Sequence, residues 1–286
     1  MASNTARAAG VMIVVLALLG TAGVGAFLWL RSRGATEPIR GQERCVATAG
    51  GQSVAVDLDQ AHFASIIVGV SVRRGLAPRA ASIALATVYQ ETGIRNLDYG
   101  DRDSVGLFQQ RPSAGWGTAK QLRDPYYATN AFYNALIKIE GWESADITEV
   151  AQRVQNSAYP DAYRDHEDDA RVLASTLTGK SPASFRCLDR SHTRGDADGL
   201  TDSLRKTFGS RAKVSSVDAT VVVKAANPRL AWAYAHYSVG NAKYYGVTTV
   251  TVAGRQWQTQ DFNLPEWTAP TLTPTDSESR VEITLR

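Results

Sequence analysis

The chain has 286 residues and a formal net charge of +3, a length that suits one large or two modest domains. Arg7, Arg31 and Arg33 lie in the first 34 residues, where there is no acid; the remaining 28 Lys and Arg balance 28 Asp and Glu. The body is therefore neutral by count, which excludes the basic footprint of a nucleic-acid binder, and two cysteines are too few for a zinc site of their own. Ala8 to Leu30 is 23 residues without a charge, enough at about 1.5 Å per residue to cross a hydrocarbon core of about 30 Å. The spacing predicts a transmembrane helix over residues 8–30, read as an uncleaved signal anchor spanning 1–34 rather than a cleaved signal.

Residues 35–58 read as a charged lead-in containing Cys45, ending in the alternating Ser53-Val54-Ala55-Val56. A helix follows from about Asp59 to Arg74, stopped by Gly75. The next is apolar nearly all round, with Ala80, Ala81, Ile83, Ala84, Leu85, Ala86 and Val88, as expected of a helix inside a core. Pro78 suits its first turn and Gly93 its end. Asp124-Pro125 starts a third helix, ending near Gly141, and Asp146-Ile147-Thr148-Glu149 has the form of a capping box. A fifth helix is expected from Pro160 to about Thr178.

The most informative stretch follows the second helix. Glu91-Thr92-Gly93 closes it, the loop Asp98-Tyr99-Gly100-Asp101-Arg102-Asp103 comes next, and Gly106-Leu107-Phe108-Gln109-Gln110 follows. Glu91 sits where an apolar surround and the negative end of a helix dipole both raise a carboxyl pKa, as a general acid near neutral pH requires. Amides such as Gln109 and Gln110 offer donors and acceptors to sugar hydroxyls, and Trp116, between two glycines, is a candidate platform for a pyranose ring. This order resembles the lysozyme-like superfamily, the lytic transglycosylases and goose-type lysozymes, in which Glu-Ser/Thr-Gly precedes Gly-Leu-Met-Gln and Gly-Asp-Arg lies between. The resemblance covers about residues 59–179. It implies Glu91 as general acid, Asp101 as second carboxylate, and Gln109, Gln110 and Trp116 as substrate-binding. Asn156-Ser157-Ala158-Tyr159-Pro160 lies where the family has Ala-Tyr-Asn-Ala-Gly, which carries over Tyr159. Two departures stand out: Arg111 replaces a further Asp of the goose-type enzymes, and Pro160 replaces the Asn.

The resemblance implies a mostly α lysozyme-like domain over 59–187; by composition, residues 188–212 read as a polar linker and 213–286 as a small α/β accessory domain, all behind the N-terminal transmembrane helix. In that last unit Val217–Val223 and Val247–Val252 read as strands, Leu230–Tyr244 as a helix with His236 packed inside it, and Val281–Leu285 as a final strand. Cys45 and Cys187 bracket the lysozyme-like segment and are expected to form a disulfide. Asp165 to Asp169 wrap around a helix and read as a solvated face, so no metal and no cofactor are expected. Arg31 and Arg33 after the span argue for an inward-facing body; the wall substrate and the cysteines argue for an outward-facing one, and a single-pass cell-membrane protein with its soluble part against the cell wall is the reading adopted. The implied function is cleavage of peptidoglycan glycan strands by a lytic transglycosylase or muramidase. The alternatives are an inactive wall-binding scaffold, or the wall-opening component of a conjugation or secretion apparatus. On protein partners the sequence is silent.

Overall fold

A computed structural model describes residues 42–155, 163–270 and 278–286. The expected transmembrane segment, residues 8–30, lies outside them; no helix among the described residues is long and apolar enough to cross a membrane. The chain opens with strands β1 (Arg44–Ala49) and β2 (Gln52–Val56), followed by helices α1 (Leu58–Arg73) and α2 (Pro78–Thr92). Short α3 (Ala119–Leu122) leads into α4 (Pro125–Leu136), α5 (Ile147–Gln155) and α6 (Glu167–Leu177), then β3 (Phe185–Leu188) and α7 (Ala197–Phe208). The remainder is β4 (Lys213–Val217), β5 (Thr220–Lys224), α8 (Pro228–Gly240), α9 (Ala242–Tyr245), β6 (Val247–Val252), β7 (Arg255–Gln258) and β8 (Arg280–Leu285).

The strands form two antiparallel sheets, one ordered β2-β1-β3 and one ordered β4-β5-β8-β6-β7. In the first, Cys45 stands directly opposite Cys187, and the two are joined in a disulfide. In the second, Val221 and Val223, Val281 and Ile283, and Val250 and Val252 alternate inward, the period-two pattern of a sheet with one face on the core.

This corrects the expected fold class. The described residues contain nine helices and these two sheets, and residues 41–286 group as one compact unit, not as a mostly α domain followed by a separate α/β domain. The reason is α8. It is buried on every side, from Leu230 to Gly240, because it lies between the five-stranded sheet on one side and α1, α6 and β3 on the other. Asn241, just beyond it, donates through Nδ2 to Ser65 Oγ at 2.9 Å and to Tyr237 O at 2.7 Å, and accepts from His62 Nδ1 at 2.6 Å. Lys243 Nζ pairs with Asp59 at 2.7 Å, and Trp267 Nε1 donates to Phe185 O at 2.8 Å. Gly179 (φ +74°) ends α6 so close to α8 that a Cβ would collide with the backbone at Arg229 and Ala233. These ties join the early helices to the C-terminal sheet as one core.

Three local expectations also change. The polar stretch expected as a linker contains α7, capped by Asp196 through a bond to Gly199 N and amphipathic through buried Leu200, Leu204 and Phe208. The strand expected over Val217–Val223 is instead a hairpin, β4 and β5, turning at Asp218-Ala219, with Asp218 at φ +50°. The helix expected to end near Gly141 stops at Leu136.

Candidate functional site

The site is built on the end of α2. Its residues Ala80 to Val88 are all buried, so the helix runs through the core and delivers its last turn to the edge of it. Gly93 closes the helix in the left-handed region at φ +62°, donating to Tyr89 O and Val88 O, a conformation that favours glycine. Glu91, one residue before the helix ends, is half-buried.

Among the described residues, two side chains reach its carboxyl. Tyr163 Oη donates to Glu91 Oε1 at 2.9 Å, and Gln155 Nε2 donates to the same oxygen at 3.3 Å. Gln155 also donates to Phe108 O at 2.7 Å, which ties the acid to the Gly106–Gln110 segment. Thr92 Oγ1 adds a second tie, donating to Leu107 O at 3.0 Å. Burial raises the Glu91 carboxyl above the usual carboxylate range; the hydrogen bonds from Tyr163 and then Gln155 pull against that rise without cancelling it. Both donors fall on Oε1, so in the neutral acid Oε1 is the carbonyl oxygen and Oε2 carries the proton.

The other sequence-derived residues are placed differently. Asp101 is on the surface, its side chain 91% exposed and 3.8 Å from the Arg102 guanidinium. Gln109 (φ +47°) spends its amide inside its own loop, donating to Tyr99 O and Gly106 O, both at 3.2 Å. Gln110 is 2% exposed and donates to Ala128 O, which fixes the segment to α4. Trp116 is half-buried against the core, its carbonyl accepting from Tyr127 Oη at 3.2 Å. Tyr159 lies outside the described residues. Arg111, at the position of the departure, donates through Nε to Asp103 Oδ1 at 3.0 Å. Asp103 accepts also from Ser113 N and Oγ, and these bonds, the backbone one first, lower its pKa to about 2. Asp103 and Arg111 therefore brace the loop as an ion pair.

Two residues of the site were missed by sequence reasoning, and both left a signal. Tyr163 follows Ala162 just as Tyr159 follows Ala158, so the Ala-Tyr motif occurs twice and the second copy meets the acid. Gln155 extends the stripe Ile147, Val150, Ala151, Val154, all buried on α5; an amide at the next inward position of an apolar stripe marks a place where a polar partner is waiting. Tyr99, 69% exposed beside the Gln109 amide, is a further aromatic on the same loop.

No group of three or more His, Cys, Asp or Glu side chains suited to hold a metal ion occurs among the described residues. Glu167, Asp168 and Asp169 occupy the first turn of α6, where acidic side chains complement the helix dipole. No protein-family model matches the chain, and no curated protein matches it.

Proposed function

We propose that this protein cleaves the glycan strands of peptidoglycan, with Glu91 as the general acid. The observation that carries the reading is the half-buried Glu91 carboxyl with both donors on one oxygen, which leaves a proton-bearing oxygen at the end of a buried helix. The resemblance of Glu91-Thr92-Gly93 and Gly106-Leu107-Phe108-Gln109 to the lysozyme-like superfamily supplies the substrate class. On this reading Glu91 Oε2–H protonates the bridging oxygen as the bond from muramic acid C1 to that oxygen breaks.

Between the two outcomes, transglycosylation is favoured. A hydrolase that inverts needs a second carboxylate to activate water, yet Asp101 stands in solvent beside Arg102 and Asp103 is committed to Arg111 and Ser113. The single-acid route needs no second carboxylate. The C6 hydroxyl of the same muramic acid attacks C1, and its proton returns to the Glu91 carboxylate, giving the 1,6-anhydro sugar and regenerating the acid. The reading requires the body to meet the wall, and the Cys45–Cys187 disulfide supports an oxidising compartment.

The test incubates the purified full-length chain and its Glu91→Gln variant with peptidoglycan sacculi and weighs the released fragments. Anhydro-muropeptides from the wild type alone are expected; reducing ends would make it a hydrolase, and no release from either protein would favour a wall-binding scaffold. Protease added to intact cells checks the compartment, because an outward-facing body is clipped.

A further inference from the structure

A cavity of about 660 Å³ lies where the early helices meet the C-terminal part of the chain, and it does not include Glu91. Its charged lining is Lys120, Arg123, Lys206 and Asp124, over a partly aromatic wall that includes Tyr126 and His62. Asp124 is already engaged. Its Oδ1 caps α4 by accepting from Tyr126 N and Tyr127 N, and its Oδ2 lies 3.7 Å from Lys206 Nζ. Lys120 and Arg123 have no ion-pair partner among the described residues. The cavity therefore holds two cations beyond its one internal pair.

The backbone that carries Lys120 and Arg123 is held in place, while their side chains are exposed. Arg123 caps α3, and its carbonyl accepts from Asn96 Nδ2 at 2.8 Å, while Thr118 and Gln121 close a capping box at the other end of that helix. Lys206 Nζ sits 4.0 Å from the centre of the Tyr126 ring, and Tyr126 Oη is within 3.0 Å of Thr207 Oγ1. The cations are thus drawn from α3 and α7, and Tyr126 of α4 ties α7 to the cavity wall. His62 also lines the cavity with its ring orientation fixed: Asn241 Nδ2 is committed to two acceptors, so its Oδ1 faces the ring and Nδ1 must be the donor. Burial favours the neutral imidazole, which leaves Nε2 an acceptor.

We propose that this cavity binds a small molecule bearing at least two negative charges on phosphate or carboxylate oxygens. The guanidinium of Arg123 offers the planar fork that pairs with either oxyanion, Lys120 adds a point charge beside it, and the volume falls in the range of about 300–1,000 Å³ typical of small-molecule sites. The site is independent of the proposed glycan chemistry, since none of its lining residues touches Glu91.

The test is calorimetric titration of the full-length chain with inorganic pyrophosphate in one arm and citrate in the other. Saturable one-to-one binding of at least one probe is expected, weakened tenfold or more in the Lys120→Ala/Arg123→Ala variant and by added salt. Tighter pyrophosphate marks the natural ligand as a phosphate, and tighter citrate as a carboxylate. Both replaced side chains are exposed, so the variant should melt at the wild-type temperature; Arg123→Lys, which keeps the charge, should recover part of the affinity and guards against a folding artefact. Glu91→Gln should bind as the wild type does. Absence of binding by both probes, binding undiminished in the double variant, or loss of binding in Glu91→Gln would each overturn the assignment.

Discussion

Replacing Tyr163 by Phe removes one hydroxyl and tests what holds the Glu91 proton. That hydroxyl donates to Oε1 at 2.9 Å, and Tyr163 is 1% exposed, so water does not readily replace it. A hydrogen bond to an ionised group contributes about 1.5–3 kcal/mol and one to a neutral carbonyl about 0.5–1.5 kcal/mol. The bond thus favours the carboxylate over the acid by about 1–1.5 kcal/mol, and one pH unit corresponds to about 1.4 kcal/mol. Tyr163→Phe is therefore expected to move the Glu91 titration upward by about one pH unit. Two assays read this: carbon-detected NMR of the labelled Glu91 carboxyl, which needs no activity, and the alkaline limb of the pH–rate profile for fragment release, which should shift with it. On the proposed route the variant's acid gives the first proton less readily, but its carboxylate, the stronger base, takes the second proton back more readily, so its rate at low pH should stay within a fewfold of wild type. A titration that stays put, or moves down, would refute the assignment of the hydroxyl as a donor to the ionised acid.

Other expected outcomes follow from the same geometry. Glu91→Gln should abolish fragment release yet raise the melting temperature at pH 7. The folded-state pKa is raised, so ionising Glu91 destabilises the fold as pH climbs from the ordinary carboxyl value through the folded one; the stabilisation by Gln should fade below that window, where both states are protonated. Cys45→Ser opens a loop of 142 residues, with an entropic ceiling of about 5 kcal/mol, and urea denaturation of oxidised and reduced protein should give a loss no larger than that. Gly179→Ala forces a Cβ into the Arg229 carbonyl at a positive φ and should cost about 2–4 kcal/mol, read from the same denaturation curves; a neutral result would mean the α6–α8 approach is looser than described. A chain ending at residue 188 loses α8 and leaves Phe185 and the inward side of α1 uncovered; it should show no cooperative melt by circular dichroism.

The helices that carry the site were legible because their punctuation is chemical. Asp124 and Pro125 open α4, and Pro78 and Gly93 frame α2; such signals act within a few residues and need no tertiary information. The three-stranded sheet was not legible beyond Ser53–Val56. The strand β3 is four residues long and exists because β1 lies beside it, a pairing more than a hundred residues distant that local pattern cannot announce. The helix α7 was hidden for a different reason. Its Leu200, Leu204 and Phe208 recur at a helical spacing, but Ser, Thr, Asp and Gly around them gave the stretch a linker's composition. The all-round apolar α8 was read as a helix, yet nothing in a single helix says that its second face is covered by α1, and that one fact turns two expected domains into one core.

The same limit explains the site. Glu91 was legible because one helix supplies both its burial and its position. Its partners were not, because Gln155 and Tyr163 arrive from a helix and a turn more than sixty residues later. Their presence changes what the acid is. A carboxyl that is only buried keeps its proton at neutral pH but releases it reluctantly, since the charge left behind has no partner. Two donors on Oε1 stabilise that charge without reaching the oxygen that gives up the proton. Burial and hydrogen bonding act in opposite directions on one group, and the proposed single-acid route needs both. Glu91 must first give a proton to a leaving oxygen and then take one from a hydroxyl, so the difference between the two effects, and not the burial alone, determines whether one carboxyl can serve in both steps.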